Sequence, residues 1–72
     1  MDFTQEEILR AYERYFLKRA DMGKSDSDVS RGSGVYRGTF SAWKKGKTMP
    51  DVKSLYKIAT FCNCKVSEIL AD

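Results

Sequence analysis

The sequence predicts an all-α fold, a compact set of five helices without strands. Three observations predict it. Apolar residues recur at three- and four-residue intervals along most of the chain instead of alternating. Helix-start signatures stand at Thr4, Ser25 and Pro50, and residues able to take a left-handed exit close the runs at Gly23, Gly34, Gly46 and Asn63. Seventy-two residues fit one domain, 1–72, with a small core, since a chain this short buries only about 60% of the surface it exposes unfolded.

Thr4 with Glu7 three residues on forms a capping box, so the first helix begins there. Ile8, Tyr12, Tyr15, Phe16 and Ala20 form its inward stripe, with Arg10, Glu13, Arg14 and Lys18 opposite, and it ends near Met22-Gly23. The aromatic spacing marks this stripe as core and not as a stacking platform. Ser25 caps a second, short helix with Asp28 at its third position, and Asp26 and Asp28 suit the positive helix end. Gly32-Ser33-Gly34 breaks that helix, and Gly34 supplies positive φ for a tight turn.

Val35 folds back to the core, and a third helix starts near Tyr36 or Arg37 with Phe40 and Trp43 on its inner edge. Gly46 closes it amid Lys44, Lys45 and Lys47, where cations favour the negative helix end. Pro50-Asp51 opens a fourth helix, whose buried face is Val52, Leu55, Ile58, Ala59 and Cys62, and which stops at Asn63. Val66, Ile69 and Leu70 fit a last short helix leaning on the first.

Charge is distributed unevenly. The net charge is +3, yet Arg31 to Lys57 holds seven basic residues (Arg31, Arg37, Lys44, Lys45, Lys47, Lys53, Lys57) against Asp51 alone, a local balance of +6. Such a field attracts polyanions, phosphate backbones above all, although a solvated lysine face reads the same way. Lys53 and Lys57 are read as solvated charges. The two cysteines, Cys62 and Cys64, are too close for an easy mutual disulfide and too few for zinc, so both are expected reduced, with Cys64 a small core residue. No histidine is present, no base adjoins a cysteine, and no phosphate-cradling glycine loop or metal constellation occurs, so neither catalysis nor a cofactor is expected. No apolar run suits a membrane span and no signal sequence opens the chain, so a cytoplasmic location is expected.

Val29-Ser30, Gly34-Val35, Phe40-Ser41-Ala42-Trp43, Gly46-Lys47, Pro50, Leu55, Ile58-Ala59 and Val66-Ser67-Glu68-Ile69-Leu70 occur in order at a spacing that resembles the lambda-repressor-like (Cro/C1, XRE-type) helix-turn-helix family, over about residues 8 to 70. The helix-turn-helix then spans about residues 25 to 46. The resemblance implies a bacterial or phage transcriptional regulator, repressor-like, whose second motif helix enters the major groove of a double-stranded DNA operator. Arg37, Gly38, Thr39 and Ala42 fall at or beside the base-reading places, and Ser25, Tyr36, Ser41, Lys44, Lys45 and Lys47 at or near the DNA backbone. Chemistry agrees: Arg37 can donate a bidentate pair to guanine, and Ala42 can press a thymine methyl. Tyr36 can donate to a phosphate or cover the turn, and Trp43 is read as core. The family implies a homodimer on paired half-sites, with an exposed part of the last helix, including Ile69 or Leu70, as its contact surface.

Three places depart from the family pattern. Asp26 stands where glutamine is frequent, and is read as serving the helix N-terminus, with an ion pair to Arg37 as the alternative. Gly38 removes a reading side chain, leaving direct readout to Arg37 and some of the specificity to DNA shape. Lys65 stands where a capping residue is usual, which leaves the start of the last helix open. Asp26 and Asp28 beside the groove also motivate a second reading, a protein-binding module of antitoxin or anti-repressor type with a protein partner.

Overall fold

The computed structural model describes residues 3–70. They form α1 (Gln5–Asp21), α2 (Asp26–Ser33), α3 (Arg37–Lys44), α4 (Val52–Phe61) and α5 (Val66–Leu70), with no strand among them. α1 packs against α3 and α5, α2 against α3 and α4, and α4 against α5.

The helix ends follow local chemistry. Thr4 Oγ1 accepts from the Glu7 N–H while Glu7 accepts from the Thr4 N–H, and Ser25 and Asp28 repeat that box on α2. Asp51 caps α4 by accepting from the Ser54 N–H at 2.8 Å, so Pro50 lies buried before the cap instead of within the first turn. At the start of α5 the Glu68 carboxylate accepts from the Lys65 N–H at 2.7 Å, supplying the cap that Lys65 itself cannot. α2 exits through Gly34 at φ +79° and α4 through Asn63 at φ +55°.

The core is Ile8, Ala11, Tyr12, Tyr15, Val29, Val35, Phe40, Trp43, Leu55, Ile58, Ala59, Cys62 and Ile69. Five apolar expectations are corrected. Phe16 is 42% exposed and Ala20 is also exposed, while Ala11 is buried, because α1 turns its Ile8-Ala11-Tyr12-Tyr15 stripe to the other helices. Val52 is 69% exposed at the first position of α4. Cys62 is the buried cysteine and Cys64 only half-buried; both are free, and burial pushes the Cys62 thiol up to about 11, so it stays protonated at neutral pH. Ile69 is fully buried and is no contact surface for a second chain, whereas Leu70 is partly exposed.

Candidate nucleic-acid interface

The unit that matters runs from α2 through the turn to α3, and α1 holds it in place. The Asp26 carboxylate, at the first position of α2, accepts from Tyr12 Oη at 2.7 Å, Tyr15 Oη at 2.7 Å and Arg19 Nε at 2.8 Å. Asp26 therefore turns inward; it pairs with Arg19 on α1, not with Arg37, and the N-cap work falls to Ser25 and Asp28. Burial works to raise its pKa, but the hydrogen bonds from Tyr15 and Tyr12 and the Arg19 charge outweigh that and hold it below the usual carboxylate range. Burial and the neighbouring carboxylate push the Tyr15 hydroxyl in the opposite direction, far above its ordinary value.

The sequence contained a signal for this cluster. Tyr12, Tyr15 and Arg19, spaced three and four apart, share one helix face, and buried tyrosine hydroxyls need a partner. Which acid supplies that partner is set by the approach of α2.

Aromatic packing fixes α3. Phe40 and Trp43 are fully buried; the Trp43 ring stacks on Tyr15 at 4.9 Å and meets the Tyr12 edge at 5.4 Å. Trp43 Nε1 donates to the Ile8 carbonyl at 3.1 Å, so the indole is satisfied as well as packed. The turn is braced by Ser30 Oγ, which donates to the Val35 carbonyl at 2.6 Å, and by the Gly34 N–H, which donates to the Ser30 carbonyl at 2.9 Å. With its inner face committed in this way, α3 has one remaining face.

That outer face carries the residues singled out from the sequence. Tyr36, Arg37, Ser41, Lys44, Lys45 and Lys47 are exposed, and Gly38, Thr39 and Ala42 are half-buried along the same helix. Ser30, Tyr36, Arg37, Gly38 and Ser41 together line an open groove. Ser25 is separate from them: its hydroxyl accepts from the Asp28 N–H and donates to the Asp28 carboxylate at 3.0 Å.

Electrostatics separate the two motif helices. Among the described residues the ion pairs are Arg10–Glu6, Lys18–Glu68, Arg19–Asp26 and Arg31–Asp28, and none includes Arg37, Lys44, Lys45 or Lys47. The Ser25 backbone and hydroxyl together with Arg31 lower Asp28 to about 2. Both acids of α2 are thus neutralised by their own neighbours, while the cations of α3 and the following loop keep their field. α3 also begins without a side-chain cap, and its first turn holds no acid. Its positive end is open to an anion.

The arrangement is a helix presenting a guanidinium at its start and three lysines at and just beyond its end. Among the described residues there is no cluster of three metal-ligating side chains, and no helix is long and apolar enough to cross a membrane. Comparison with curated proteins finds no match, and neither does comparison with solved structures. A family model described as a Cro/C1-type HTH DNA-binding domain matches residues 14–72, covering α2, the turn, α3 and the two helices behind them. The chain belongs to the Cro/C1-type helix-turn-helix DNA-binding domain family.

Proposed function

We propose that this chain is a transcriptional regulator, repressor-like and of bacterial or phage type, that reads a short duplex operator with α3 in the major groove. The observation that carries the reading is the basic outer face of α3 and its loop, unpaired among the described residues, beside an α2 whose two acids are held by their own neighbours. Arg37 donates to a guanine edge from the start of the helix, with Gly38, Thr39 and Ala42 along the base-facing side. Ser41, Lys44, Lys45 and Lys47 hold phosphates. Ser25 keeps its capping role, because a phosphate beside it would meet Asp28.

The regulator acts as a homodimer on half-sites about one helical turn apart, in the cytoplasm at the nucleoid. With Ile69 in the core, Leu70 is what the last helix offers a partner protomer. The protein-partner reading loses its motive, since Asp26 is bound by α1 and Asp28 by Ser25 and Arg31.

The test is a salt titration of binding to DNA flanking the chain's own gene and to a random duplex. Tight binding to the flanking DNA with a steep negative salt slope is expected. Replacing Lys45 or Lys47 by alanine is expected to weaken both duplexes alike and to flatten the slope by about one per lysine. Equal, weak, salt-insensitive binding to both duplexes sinks the proposal.

A further inference from the structure

We propose that Tyr36 reads a thymine 5-methyl group, its ring standing where the base-facing side chain missing at Gly38 would be. The inference rests on α3 being the reading helix. A Cβ built on Gly38 would fall 2.3 Å from Tyr36 Cε2, 3.0 Å from Cδ2 and 3.2 Å from Cζ. The ring therefore lies across the first turn of α3, over the second base-facing place, and glycine is what admits it.

Two further observations separate this from a residue that merely covers the turn. Tyr36 is 80% exposed, so most of its apolar surface faces outward beside Arg37 and over the groove it shares with Ser30, Gly38 and Ser41. It is also the N-cap residue of α3 and makes no side-chain capping bond, at a place where serine or aspartate would stabilise the helix. Neither burial nor capping accounts for a tyrosine here. The major-groove edges of the four base pairs carry one apolar group between them, the thymine methyl, which makes it the partner an exposed ring would recognise. Arg37 and Tyr36 then form a polar and an apolar reader side by side at one helix end.

The experiment selects preferred duplexes from a randomised pool with the wild-type chain, then replaces each thymine of the best site by uracil in turn. One replacement is expected to weaken wild-type binding about fourfold, the weight of one buried methyl. That sensitivity is expected to persist in Tyr36→Phe and to vanish in Tyr36→Ala. It is also expected to vanish in Gly38→Ala, which favours the helix but puts a methyl group in the ring's place. Thermal melts of each variant establish that it is folded.

A methyl contact made by Ala42 would survive in Tyr36→Ala, so unchanged uracil sensitivity in that variant overturns the assignment. Loss of affinity for all sequences in Tyr36→Phe makes the hydroxyl a phosphate ligand and overturns it equally. If no duplex is enriched over the random pool, the groove-reading role of α3 itself fails and this inference falls with it. That result is distinct from a successful selection whose uracil scan ignores Tyr36.

Discussion

α2 and α3 are each eight residues long and adjacent in the chain, and they treat their N-termini in opposite ways. α2 opens with a full capping box, two acids in its first turn and a carboxylate held by three donors from α1. α3 opens with an exposed tyrosine, an arginine unpaired among the described residues and no side-chain cap. One helix start is closed by its own protein; the other leaves its donors and charge for something else. A helix whose only task was packing would gain from a cap, so the difference separates the helix that holds the fold from the helix that faces a ligand.

The sharpest way to break this contrast is Asp26→Asn. Removing the charge that collects Tyr12, Tyr15 and Arg19 is expected to lower unfolding free energy by about 2–4 kcal/mol, read by urea titration. Duplex preference is expected to survive in the fraction that remains folded. Loss of preference with stability unchanged would mean that Asp26 belongs to the interface after all.

Arg37→Ala is the mirror image. It is expected to cost about 1–3 kcal/mol on the preferred duplex and to relax base choice at one position, with the thermal midpoint unmoved. If the variant weakened random and preferred DNA equally, Arg37 would be a phosphate contact and not a reader.

On the α2 side of the contrast, the cluster around Asp26 has a pH dependence of its own. Tyr15 has its folded pKa raised above the ordinary value of 10.0, so its contribution is complete below that pH and is lost as pH rises. Above pH 10 the slope is expected to approach roughly 1.4 kcal/mol per pH unit from this one group. Asp26 behaves oppositely: its folded pKa is depressed below 3.8, so its contribution is present above that value and is lost as pH falls through the folded pKa. Circular dichroism melts across pH measure both limbs, and a flat alkaline limb would show that Tyr15 is not held neutral in the fold.

The smallest effect is also the most discriminating. Tyr36→Ser gives α3 the kind of cap that α2 already has and is expected to stabilise the fold by about 1 kcal/mol while weakening operator binding. A more stable protein with worse binding is what an interface helix left uncapped for its ligand requires. Unchanged binding would remove Tyr36 from the interface.

Helix boundaries were legible in the sequence wherever a single residue type performs a local task. Thr4 with Glu7, Ser25 with Asp28, Gly34 and Asn63 all stand where their chemistry says a helix starts or stops. Burial was less legible at helix edges. Phe16 fits the period of the α1 stripe as well as Ala11 does, but α3 and α5 approach on the Ala11 side, and Phe16 is left beneath the Arg19 guanidinium, 4.5 Å from its ring centre. Val52 fits the stripe of α4 but stands at its first position, 69% exposed.

The candidate site divides in the same way. That Arg37 and the lysines lie exposed was legible from residue type, because a cation at a helix end keeps its meaning whatever packs behind it, whereas Ser41 entered through the family resemblance. Asp26 was not. Its partners lie 14, 11 and 7 residues earlier in the chain, and only the approach of α2 to α1 decides whether a carboxylate at that position meets water, phosphate or two tyrosines.

The sequence by itself determined five helices, the caps of the first two, the stops, and a basic stretch around the third, because periodicity, capping and charge act within a few residues. The tertiary structure alone decided that Asp26 is held by α1, that Ile69 is core, and that the Tyr36 ring fills the space over Gly38. Those outcomes depend on distances between groups far apart in the chain or on how one side chain lies over its neighbour, and residue type carries neither.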